Sequence, residues 1–152
     1  MKSSHFTPAE KKNSTIQYFE ENIRYRFRNK RKTADWIRTS IRNEGKEPGE
    51  INIIFCSDTF LHKMNVDYLN HDTFTDIITF DMSEEKNLIT GEIFISVERA
   101  RENARSLGVK MIDEIRRLII HGILHLSGYG DRTLEEKELM TRKEDYYLSL
   151  HP

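Results

Sequence analysis

The chain has 152 residues, 37% hydrophobic and 32% charged, and its 24 basic and 25 acidic side chains leave a net charge of −1. That length suits one domain with one core, the composition is too apolar for a disordered chain, and the charge announces no nucleic-acid partner by itself. No apolar run is long enough to span a bilayer, the N-terminus lacks a signal-peptide core, and the single Cys56 cannot form an internal disulfide, so a cytoplasmic location is expected.

Residues 1–13 are polar without periodicity and are expected to be ordered only in part. Strands are predicted at about 15–20 and 23–29. In the second of these, Ile23, Tyr25 and Phe27 alternate with Arg24, Arg26 and Arg28. The run 24–32 holds six cations and no acid, and its arginines are candidates for RNA-backbone contacts, set against a merely solvated basic face. Thr33 is a predicted N-cap for a helix carrying Trp36, Ile37 and Ile41, which ends near Gly45. Residues 51–55 read as a buried strand ending beside Cys56, a buried structural thiol. Ser57 or Asp58 should cap a helix with Leu61, Met64 and Tyr68 on its inner face.

Two strands follow at about 77–81 and 91–96, and Ser96 should cap a helix with Ala100, Ala104 and Leu107 on one face and a stop at Gly108. The next helix, about 111–127, is apolar and ends in His121, Gly122, His125, Ser127 and Gly128. Thr133 and Glu136 have capping-box spacing for a last helix that reaches about 148, with Met140 as a core filler. The whole is an α+β fold: a small mixed four-stranded sheet packed with about five helices, with a metal site on a helix of the C-terminal half.

Chemistry concentrates in that metal-bearing segment. Residues four apart on a helix share a face, so His121 and His125 can point at one centre, and a reversal at Gly128 brings Asp131 back to it. Two imidazoles and a carboxylate leave a fourth tetrahedral position open, as in catalytic zinc sites. One zinc ion is the expectation, although such a donor set also suits iron, nickel or manganese. His62 and His71 read as solvent-facing, His71 standing in a polar turn where a phosphate could approach.

The run His-Gly-Ile-Leu-His-Leu-Ser-Gly-Tyr-Gly-Asp resembles the signature of the YbeY family of bacterial metal-dependent endoribonucleases, the rRNA maturation factors. Thr75 to Phe80 and Gly91 to Ser96 resemble two further family blocks in the same order, and the resemblance runs from about Ile51 to Met140. It implies a zinc-dependent endoribonuclease of single-stranded RNA, acting on the 3′ end of small-subunit rRNA and in ribosome quality control. Precursor rRNA and the small ribosomal subunit are the implied partners, and residues 1–152 form a single metal-dependent hydrolase domain.

Two departures stand out. Asp131 occupies the place of the family's usual third histidine, giving a loaded site of net charge +1 instead of +2 and a water harder to deprotonate. Leu69 stands where the family usually carries an arginine after Asn65 and Tyr68. In His-Glu-x-x-His peptidases the glutamate after the first histidine is the base, and here that position is Gly122, which argues against peptide hydrolysis. The base is left unassigned, with Asp76 and Glu92 as its candidates. Two alternatives remain: an assembly factor whose metal only staples the fold, and a metal hydrolase of a non-RNA substrate.

Overall fold

A computed structural model describes residues 14–152; the expectation for residues 1–13 lies outside the described residues. The strands are β1 (Thr15–Glu21), β2 (Glu47–Cys56), β3 (Ile77–Asp81) and β4 (Leu88–Ser96). The helices are α1 (Lys30–Asn43), α2 (Asp58–Leu69), α3 (Val97–Leu107), α4 (Met111–Leu126) and α5 (Leu134–Ser149). One mixed sheet runs in the order β1-β2-β4-β3, with β1, β2 and β4 parallel and β3 antiparallel to β4. This is the expected α+β arrangement.

Alternation along the central strands divides the sheet into two unequal faces. Ile51, Ile53 and Phe55 of β2 join Ile93 and Ile95 of β4 in the main core, with apolar residues of α1, α3, α4 and α5 packed on that side. Ile54, Cys56, Ile78 and Phe94 face the other way into a small cluster closed by Leu61 and Phe60 of α2. Cys56 is fully buried there, and burial pushes its thiol up to about 12, which fits the structural role. Met140 fills the main core as expected.

Four expectations need correction. Residues 23–29 form no strand, although Phe27 is buried and Arg24, Arg26 and Arg28 are exposed as the alternation requires. Asn22 turns the chain at φ 59°, and Tyr25 and Phe27 then pack on Phe55, with ring centroids 5.1 and 5.2 Å away. The segment crosses the core edge instead of joining the ladder. Thr33 caps nothing: α1 starts three residues earlier because Asn29 takes the left-handed conformation, at φ 60°, and Thr33 is buried inside the helix. Tyr68, expected on an inner face, is exposed although its ring lies edge-on to Phe80 of β3, and Leu107, expected to share a face with Ala100 and Ala104, is exposed in the last turn of α3.

Caps elsewhere follow the sequence. The Ser57 hydroxyl accepts from Phe60 N–H, the Ser96 hydroxyl from Arg99 N–H, and Thr133 and Glu136 form a reciprocal capping box. These fix the starts of α2, α3 and α5, and α5 begins three residues after Asp131.

Candidate metal centre

The buried stripe of α4 (Ile115, Leu118, Ile119 and Ile123) packs on the sheet and leaves His121 and His125 half-buried at its border. Gly122 sets how close the helix comes. A Cβ there would lie 2.9 Å from Cδ1 of Ile93, so a glutamate at this position would crowd the fully buried Ile93 side chain and force it to shift. The missing peptidase base thus has a packing cause. After Leu126 the chain reverses at Gly128, φ 111°, with Tyr129 N–H bonded back to Leu124 O, and Asp131 returns to the histidines.

The three donors meet. His125 Nε2 lies 3.1 Å from His121 Nε2 and 3.1 Å from Asp131 Oδ2, and His121 Nε2 lies 3.5 Å from the same oxygen. In a tetrahedral zinc site with bonds of about 2.0–2.2 Å, donor atoms stand about 3.3–3.6 Å apart, so the group could hold a metal ion with little adjustment.

His121 is already oriented for that role. Its Nδ1 lies 2.6 Å from Oε2 of Glu144 on α5, and the other oxygen of that buried carboxylate accepts from Arg117 at 2.8 Å. A carboxylate only accepts, so Nδ1 carries the proton and Nε2 presents a lone pair towards His125 and Asp131. Burial works to depress the His121 pKa, but the hydrogen bond and charge of Glu144, with Asp131 and Asp76 nearby, outweigh it and raise the pKa. Three electron-rich atoms converging on one point, with an anion behind the first, are a donor set suited to a cation.

Around the group lies a cleft of about 530 Å³, walled by the ends of α2 and β3 and the segment 71–76. Asp76 and His71 line it, as do Leu69 and Arg132. Asn65, buried on α2, donates to Thr73 O at 2.8 Å and holds that wall in place. Asp76 accepts from Asn103 at 3.0 Å, and the same amide reaches the buried Glu114 at 3.3 Å. Burial raises the Glu114 pKa.

The other sequence candidates lie elsewhere. Glu92, facing the thinly covered side of the sheet, lines a separate groove with Phe19, Ile54 and Phe94. The structure does not bring it to the histidines. Arg24, Arg26 and Arg28 follow β1, at the opposite edge of the sheet from β3, and line no part of the cleft. His62 is held by Asp72 at 2.9 Å and stacks on Phe74.

Sequence reasoning missed Glu144, Asn65 and Glu44. Glu44, just after α1, accepts from Tyr129 at 2.6 Å and from Lys143 at 3.2 Å, and Tyr147 also donates to it. Tyr129 sits inside the turn between His125 and Asp131, so this carboxylate braces the return loop. Burial works to raise the Glu44 pKa, but the three donors outweigh it and lower it. Only the apolar residues packing these elements together signalled such partners.

The sequence model of the family described as Endoribonuclease YbeY matches residues 15–151. A Cytophaga hutchinsonii protein named Endoribonuclease YbeY is 47% identical over 91% of this chain and 97% of its own. A protein of the same name from Amoebophilus asiaticus is 45% identical over 89% of this chain and 92% of its own. The solution structure of a Thermotoga maritima protein shares the fold, with a TM-score of 0.62 at 24% identity over 89% of this chain and 87% of its own.

Proposed function

Because the chain belongs to the Endoribonuclease YbeY family, we propose that it is a zinc-dependent endoribonuclease that cleaves single-stranded RNA. Its cellular work, on the resemblance its motifs carry, is maturation of the 3′ end of small-subunit rRNA and ribosome quality control in the cytoplasm. Precursor rRNA and the small ribosomal subunit are the partners, and the whole chain serves as one metal-dependent hydrolase domain. The relatives are named for endoribonuclease activity. The observation that carries the reading is the near-tetrahedral spacing of His121, His125 and Asp131 inside an open cleft.

Those three side chains hold the ion, and Glu144 fixes the tautomer of His121. A bound zinc ion lowers the pKa of a coordinated water and polarises a phosphoryl oxygen. Among the described residues, Asp76 is the carboxylate other than Asp131 that lines the cleft, and we assign it the role of proton acceptor. Its bond to Asn103 holds one oxygen and leaves the other for the reaction. Glu92 is not part of this machinery. Arg24, Arg26 and Arg28 make phosphate contacts with a flanking stretch of RNA, away from the bond that breaks.

A purely structural metal in an assembly factor is favoured by one observation, the aliphatic Leu69 on the cleft wall. Cleavage of a labelled single-stranded RNA by zinc-loaded parent and by His125→Ala separates the two. Cleavage by the parent alone, with about one ion per chain lost in the variant, is expected. Stoichiometric zinc with no cleavage by the parent, and a lower melting temperature on zinc removal, would favour the structural metal.

A further inference from the structure

We propose that Arg132 is the phosphate-holding cation of the metal cleft, a substrate-binding residue that seats an RNA phosphodiester beside His121, His125 and Asp131; this rests on the endoribonuclease reading. Among the described residues, Arg132 is the one lysine or arginine that lines the cleft. Its backbone is fixed and its side chain is not. The N–H groups of Arg132 and Thr133 donate to Glu136 Oε1 at 2.9 and 3.1 Å, which anchors the residue at the start of α5. The guanidinium is exposed and meets no carboxylate within salt-bridge distance among the described residues. An arginine placed this way offers a planar fork of donors matched to phosphate oxygens.

Charge counting shows why the cleft needs it. Neutral imidazoles contribute nothing, while Asp131 and Asp76 contribute two formal negative charges. A divalent ion cancels these, leaving no net attraction for an incoming phosphodiester. Arg132 makes the loaded cleft positive. The α2 side of the cleft presents Leu69, which cannot bind a phosphate, so the cation comes from the α4–α5 connection. His71 adds an imidazole to the same cleft.

The test is binding of a fluorescent, fully 2′-O-methylated single-stranded RNA, which resists cleavage, across a series of salt concentrations. It is run on zinc-loaded parent, Arg132→Ala, Arg132→Lys and the double variant Leu69→Arg with Arg132→Ala. Cleavage of unmodified RNA and zinc content are measured alongside. Arg132→Ala is expected to bind about tenfold more weakly, with a raised KM, unchanged zinc content and a salt slope shallower by about 0.7. Lysine restores part of the loss, because it supplies the charge without the fork. Leu69→Arg restores binding from the other side of the cleft. Parent-like binding and salt slope in Arg132→Ala, with cleavage still dependent on His125, overturns the role of Arg132 and leaves the endoribonuclease reading standing. Weaker binding with an unchanged salt slope also overturns it, since the residue would then act only through the loop. A zinc-loaded parent that neither binds nor cleaves RNA overturns both.

Discussion

The segment from His121 to Asp131 and the basic run from Arg24 to Lys32 are the two stretches in which this chain concentrates its chemistry, and the fold sends them to opposite edges of the sheet. The first lies by β3 and closes on a cleft. The second follows β1, three inter-strand steps or about 14 Å across the sheet, and lies on the surface. The difference is one of how much geometry each stretch contains. Helical spacing and a glycine turn bring the histidines and Asp131 together locally, whereas a run of arginines needs the rest of the molecule to aim it.

Several measurements sharpen or break that contrast. The largest effect is expected at one of the two acids that the sequence could not rank, and it separates them. Asp76→Asn should slow single-turnover RNA cleavage by about 10²-fold or more with zinc content unchanged, while Glu92→Gln should stay within about twofold of the parent. A reversed order would move the chemistry to the other face of the sheet. Next comes the support behind the metal group. Glu144→Ala should weaken zinc binding by about 10–100-fold in competition with a chelator, and Glu144→Gln less, because its amide oxygen can still accept from Nδ1. An unchanged zinc affinity would mean that the helix alone orients His121. The smallest effect is reserved for the basic run. Replacing Arg24, Arg26 and Arg28 together by alanine should leave kcat unchanged and make RNA binding less salt-dependent by about 2 units of slope. A collapse of kcat would place the run at the reacting bond after all.

The same contrast governs what could be read from the sequence. The helices over 58–69, 97–107 and 134–149 were legible because their caps are written within four residues. The start of α1 was not, since a left-handed Asn29 caps by backbone geometry and leaves no side-chain pattern. Residues 23–29 alternate correctly, but alternation reports which side chains face the core and is silent on whether a ladder forms. At the site, the three donor residues were visible and their partners were not. Glu144 lies 23 residues from His121 and Glu44 lies 85 from Tyr129, distances that only packed helices can close. Glu92 and Asp76 look alike in sequence, and only their places in the fold tell them apart: Asp76 stands just before edge strand β3 in the wall of the cleft, whereas Glu92 lies within β4 and lines the other groove.

That reliance on distant partners gives the chain a built-in order of assembly. Both histidines are synthesised well before the helix that supplies Glu144 and Tyr147, and Glu44 is made earlier still but has nothing to brace until Tyr129 and Tyr147 arrive. A nascent chain, folding from its N-terminus, therefore carries its metal donors while they are still loosely held. The donor group reaches its full set of supporting contacts only when the final helix docks. A chain lacking α5 would keep all three donors and lose the carboxylate that orients His121.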